Sequence, residues 1–370
     1  MPARCLARRA SVVLALAGAA FASVAFGCSS SSTGAPTTTG LMGDGSCGLT
    51  DAENSEWCKS IAITPDCSSV IGFTTDVCGL PVTAPSTPLA RSSDVMEFAG
   101  SGAPDLSCVE VGHYPVAGTS QTVKAQGRAR IFSNGCESND LTIEFHTVIR
   151  DGTDNEGNLG PLVGQAVVTE DMAGCLIDGT PTDSMQCGTR YECPYEYDGL
   201  PSETELVVLT KGTEWQPLYD YNIYISNTDV TNGVWAHDVR ALATTDYSLI
   251  PTAAYGHTIT TGNGAIAGEV HDCGDVRVSG ATVNVDLPNA ALVYFTGAED
   301  APEPIATATS TNELGLYAAF DMAPGTITVA ALGEVDNATT TLGYFRARIF
   351  PDSVTAVTLH GVYPFELTSK

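Results

Sequence analysis

The stretch Gly264-Ala-Ile-Ala-Gly268-Glu-Val-His-Asp-Cys273 decides the fold, with its continuations Gly280-Ala281-Thr-Val283-Asn-Val285 and Thr311-Asn-Glu-Leu-Gly315-Leu-Tyr317-Ala-Ala-Phe320-Asp321-Met-Ala-Pro324-Gly-Thr-Ile-Thr-Val-Ala-Ala331. Short β-branched runs, each stopped by Gly, Asp, Asn or Pro, are what strands and tight turns require. Working outward, Leu141, Ile143, Phe145, Thr147 and Ile149 alternate with more polar neighbours, the period of a half-buried strand. Tyr219, Tyr221, Ile223 and Ile225 do the same against Asp220, Asn222 and Tyr224. Downstream, 343–350 and 354–359 supply closing strands. The class is all-β.

One pattern recurs. Tyr197-Asp198-Gly-Leu-Pro201 precedes one strand and Phe320-Asp321-Met-Ala-Pro324 precedes another, with Pro fixing the turn that feeds each. Gly127 stands nine residues before Cys136, and Gly264 nine before Cys273. The chain reads as two copies of one unit, 94–226 and 262–364, the first carrying a long insertion from Asp151 to Gly188. Residues 227–261 join them, and Trp235, Val239, Leu242 and the Leu249-Ile250 pair mark buried connecting strands.

The G-x-I-x-G opening, the G-A-x-V second strand and the hairpin into Pro-Gly-x-Ile resemble the carboxypeptidase regulatory-like family. That family has a transthyretin-like (prealbumin-like) β-sandwich of the carbohydrate-binding-like superfamily. The resemblance covers 262–360 and, more loosely, 120–226. It implies two tandem transthyretin-like sandwiches behind a small Cys-rich N-terminal segment, and an accessory module without catalytic chemistry.

Arg4, Arg8 and Arg9 precede an apolar run from Ala10 to Phe26, followed by Gly27-Cys28 and four serines, Ser29 to Ser32. This is the order of a secretory signal. It resembles a bacterial lipoprotein signal, with Ala25 where that family carries Leu, and implies that Cys28 is lipidated after removal of 1–27. Plain secretory cleavage and an uncleaved anchor are the competing readings. The implied address is the cell envelope, lipid-anchored in the outer membrane. Residues 28–46 are a polar tether, too poor in apolar residues to repay the cost of ordering.

Only 16% of the residues are charged, and the formal net charge is -27. A polyanion would be repelled, so nucleic acid is excluded as a partner. Beyond the signal and Cys28, ten cysteines remain: Cys47, Cys58, Cys67, Cys78, Cys108, Cys136, Cys175, Cys187, Cys193 and Cys273. An even number in an exported chain implies disulfides, of unknown pairing, and no C-x-x-C offers a zinc or redox spacing. The segment 47–80 is too short for a core of its own and needs such staples.

Chemistry is harder to find. None of His113, His146, His237, His257, His271 and His360 is followed by Glu at the third position, the spacing of the zinc-ligand pair in carboxypeptidases, and no G-x-S-x-G elbow occurs. No cofactor is expected, and the protein reads as non-enzymatic, with a binding or scaffolding role toward an envelope protein or glycan. The module of an unrecognised secreted enzyme is the remaining alternative. Asp151, Asp154 and Glu156 sit at loop spacing suggestive of calcium, though a solvated Asp/Gly turn reads the same way. For a sugar, Tyr195, Trp215 and Tyr219 offer rings for stacking, interleaved with carboxylates; sandwich core is the competing reading. Trp215, beside Glu214, Gln216 and Pro217, is the ring expected to be exposed in a connecting loop.

Overall fold

The structure is a computed structural model that describes residues 85–362, except 96, 108–117, 133–140, 151–153, 169–175, 178–179, 182–190 and 300. The expected signal, the tether and the Cys-rich segment lie outside the described residues. So do Cys28, Cys47, Cys58, Cys67, Cys78, Cys108, Cys136, Cys175, Cys187 and Asp151. The described chain is predominantly β, with one α-helix.

The longer strands of the N-terminal half are β1 (Thr122–Ile131), β2 (Leu141–Val148), β3 (Leu159–Val168), β4 (Tyr191–Pro201), β5 (Thr204–Lys211), β6 (Leu218–Ile225), β7 (Val234–Ala236) and β8 (Val239–Ala243). Helix α1 (Thr244–Tyr255) follows. The C-terminal half holds β9 (Gly264–His271), β10 (Thr282–Val285), β11 (Ala291–Ala298), β12 (Leu316–Met322), β13 (Gly325–Val335), β14 (Ala338–Ile349), β15 (Val354–Val357) and β16 (Leu359–Val362).

A 13-stranded sheet runs β10-β13-β14-β16-β9-β15-β6-β5-β2-β3, with β12 and then β11 branching from β9 and the strand Ala301–Ile305 pairing with β11. An 8-stranded sheet is centred on β1, flanked by β4 on one side and by β7 and β8 on the other. The large sheet is continuous through both halves because β6 pairs in parallel with β15, Tyr219 opposite Thr355. Residues 159–168, expected inside an insertion, instead form an edge strand, β3, antiparallel to β2. Burial alternates along this strand, Gly164, Ala166 and Val168 facing inward while Val167 stays half exposed.

Three apolar layers result. Ile143, Phe145, Leu206, Trp215, Ile223 and Trp235 pack between the two sheets of the N-terminal half. Ile266, Tyr317, Ile327, Val329 and Phe345 fill the core of the C-terminal half. Ala265, Phe295, Leu316, Ala318 and Phe320 cover the opposite face of β9, β11 and β12, beneath α1. Strand β12 is therefore buried on both faces, which is why Leu316-Tyr-Ala-Ala-Phe320 shows an apolar run and no alternation.

One device occurs in each half. Gly127 of β1 lies opposite Tyr195 of β4, and Gly268 of β9 opposite Tyr317 of β12. On the other side of each glycine runs a parallel strand broken at one point: β7 and β8 flank His237, β15 and β16 flank Thr358. There the carbonyl of His237 points at Gly127 and that of Val357 at Gly268, so closely that a Cβ on either glycine would overlap the oxygen. The facing tyrosine donates its hydroxyl to that same carbonyl, at 2.7 Å from Tyr195 and 2.8 Å from Tyr317. By this register Gly127 corresponds to Gly268, not to Gly264 as the cysteine spacing suggested. A bulge follows in both antiparallel pairs, at Gly199 between Asp198 and Leu200, and at 320–321 between Ala319 and Met322.

The connecting segment departs from expectation. Leu249 and Ile250 lie in α1 and not in a strand, and Leu249 is 63% exposed. Asp246 stands in the first turn, and Gly256 in the left-handed conformation caps the end through its N–H to Thr252. Pro251 removes one helical hydrogen bond, so α1 is held by the apolar face it lays on the sheet rather than by propensity.

Candidate functional site

Between α1 and the face of β9, β11, β12 and β15 lies a partly open cleft of about 170 Å³. Its body is apolar. Phe132, Leu242, Ile250, Phe295, Leu316 and Phe320 are the larger contributors. Phe132 meets Phe295 edge to face at 6.3 Å, and Tyr255 of the helix stacks on Phe320 at 5.9 Å, so rings set the walls. The loop after α1 is tied down at Asp321, which accepts from the Thr260 N–H at 2.8 Å and the Asn263 amide at 2.9 Å.

The other end is charged. Glu269, projecting from β9, is buried, and each of its oxygens has two basic partners. Oε1 takes Arg277 at 3.1 Å and Arg240 at 3.0 Å, while Oε2 takes Arg277 at 3.0 Å and His271 at 2.7 Å. Burial alone would raise the Glu269 carboxyl, but the Arg240 and Arg277 charges and the His271 hydrogen bond outweigh it. They hold it well below the usual carboxylate range. Burial likewise opposes a charge on His271, yet hydrogen bonds to Asp275 and Glu269 raise it. Arg277 continues to Glu299 at 2.6 Å, and Arg130 of β1 joins Glu97 and, at 2.5 Å, Asp238. Buried Asp220 of β6 stands in the field of Arg240, its carboxyl pushed up to about 6 chiefly by burial. Glu269 itself is locked in this network, with no acceptor position to spare.

The residues singled out by sequence do not assemble here. Trp215, expected in an exposed loop, is 3% exposed in a short strand paired with β8 and belongs to the N-terminal core. Tyr195 is also buried, its hydroxyl spent on His237. Tyr219 is half-buried and stacks on Phe350 at 4.0 Å. The three rings form no common platform, because an apolar ring in a strand gains more by entering the core than by facing water. The Glu156 side chain is fully buried against Arg150 at 3.1 Å, and the main-chain carbonyl of Asp154 accepts from Arg348 at 2.6 Å. Glu156 is thus paired with a guanidinium. Cys193 and Cys273 are each disulfide-bonded, to partners outside the described residues.

Arg130, Arg240, Glu269 and Arg277 escaped the sequence reading. The signal was there: a lone charge inside an apolar strand, as in Val239-Arg240-Ala-Leu and Ala267-Gly-Glu269-Val, must find a partner when buried.

No family model matches the chain, and no curated protein does. A crystal structure of a leucine-rich repeat protein from Bacteroides thetaiotaomicron aligns over 66% of this chain and 27% of its own, at 9% identity and a TM-score of 0.18. A likeness that slight carries no argument about the fold or the site.

Proposed function

We propose that this is an exported, lipid-anchored binding protein of the bacterial cell envelope that acts without catalysis and holds a small apolar molecule beneath α1. The cleft between α1 and the central sheet is the observation that carries the reading. Its apolar walls supply affinity by removing ligand surface from water, and the charged end closes the site. About 170 Å³ is the space of one aromatic ring or a short branched chain, since an engineered cavity of about 150 Å³ takes up benzene. The lipid anchor rests on the run from Arg4 to Cys28. The reading of the two halves as tandem transthyretin-like sandwiches draws support from the glycine–tyrosine device that each half carries.

The test is thermal unfolding of the full chain with and without toluene. A ligand at a hundred times its dissociation constant adds about 2.7 kcal/mol and raises the midpoint by several degrees. Ala318→Trp fills the cleft from β12 and abolishes the shift. A wild-type midpoint indifferent to toluene, benzene and short branched alkanes sinks the proposal.

A further inference from the structure

We propose that the ligand of this cleft is a neutral carbonyl compound, its apolar body under α1 and its oxygen accepting from Arg240. The inference rests on the binding reading above and names the ligand class.

Arg240 lines the cleft with a side chain 29% exposed. Of the five N–H groups a guanidinium carries, it uses one in the ion pair with Glu269 and one in a 3.1 Å hydrogen bond to the Thr358 hydroxyl. The others have no protein partner among the described residues. Arg277 and Arg130 also line the cleft but are held by two carboxylates each: Glu269 and Glu299 for the first, Glu97 and Asp238 for the second. The polar end thus presents donors. Among its carboxylates, Glu269 is occupied on both oxygens, and Glu299 and Glu97 each hold an arginine through one oxygen.

Charge decides between a carbonyl and a carboxylate. Glu97, Asp246, Glu269 and Glu299 line the cleft against Arg130, Arg240 and Arg277, with Asp220 just behind. An added anion here would join four carboxylates set against three arginines, on a chain of net charge -27. A ligand cation would have to displace an arginine from its carboxylate. A neutral acceptor meets neither cost, and a hydrogen bond to a charged donor is the strong kind.

The experiment is calorimetric titration of the full wild-type chain at neutral pH with toluene, acetophenone, benzoate and benzylamine, which share a ring and differ in the polar group. Acetophenone binds at least ten-fold tighter than toluene, and both ions bind no tighter than toluene. Arg240→Met removes the preference, so that acetophenone binds the variant no tighter than toluene binds the same variant. If that variant fails to fold, the wild-type ligand series decides alone. Acetophenone within two-fold of toluene, or either ion binding more tightly than acetophenone, overturns the inference while leaving the apolar site standing. No binding by any of the four overturns the site itself.

Discussion

Tyr195 holds in the N-terminal half the place that Tyr317 holds in the C-terminal half. Each faces a glycine across an antiparallel pair and donates its hydroxyl to the carbonyl that crowds that glycine from the parallel side, at 2.7 and 2.8 Å. The carbonyl is thereby satisfied where the parallel strand breaks. Tyr317→Phe removes the donor and costs about 1–3 kcal/mol, the penalty of a buried acceptor left unpaired. Gly268→Ala drives a methyl into the Val357 carbonyl and costs about 3 kcal/mol or more. Urea unfolding measures both. A Tyr317→Phe loss below about 0.5 kcal/mol would show that the hydroxyl does not hold the break.

Acid stability follows from three buried groups. His237 is lowered to about 4 by burial and His360 to about 4 by burial and the neighbouring His271 charge. Both are neutral when folded, so their contribution is complete above the ordinary histidine value and is lost as pH falls from about 6.5 to about 4. Asp220 has the opposite sign. Raised to about 6, it favours the folded state below its ordinary value, and that advantage disappears as pH climbs through about 6.

Asp220→Asn therefore makes the chain more stable at pH 8, by up to about 3 kcal/mol for a shift of about two pH units. It also steepens the acid-side loss between pH 6.5 and 4. Denaturant midpoints across pH 4 to 8 for both chains give the comparison. A variant curve parallel to wild type would mean that Asp220 titrates at its ordinary value.

Arg150 ties the loop before β3 to both halves. It pairs with Glu205 of β5 at 2.5 Å and with buried Glu156 at 3.1 Å, and donates to the Arg346 carbonyl of β14 at 2.8 Å. Arg150→Met strips a guanidinium from a fully buried carboxylate and costs about 3–5 kcal/mol. The double variant with Glu156→Gln recovers a large part of that loss, because the fully buried charge is gone and only Glu205, at 13% exposure, is left without its partner. Equal stabilities of the single and double variants would contradict this account.

Lipidation is tested directly. Cells fed labelled palmitate incorporate it into the wild-type chain and not into Cys28→Ser. Label persisting in the variant counts against Cys28 as the anchor, and label absent from both favours plain secretory cleavage.

Strand character was legible residue by residue. The alternation from Leu141 to Ile149, carried as far as Val148, became β2, and the Gly264 stretch became β9, because period and β-branching are local properties of the chain. Leu249-Ile250 misled for a physical reason: two apolar residues fit a strand or a helix equally, and only the sheet face waiting beneath α1 chose the helix. Trp215 misled because polar neighbours suggested a loop, whereas pairing with β8 turned the ring inward.

The amino-acid order by itself determined that the body would be β and placed several of its strands, because alternation and β-branching act locally. Tertiary structure alone decided which buried charges would meet, since Arg130, Arg240, Glu269 and Arg277 come from separate strands and connections and answer to one another only across space. The cleft is of the same kind. It exists where the helix fails to fill the face it covers, a mismatch between two surfaces that no single segment encodes.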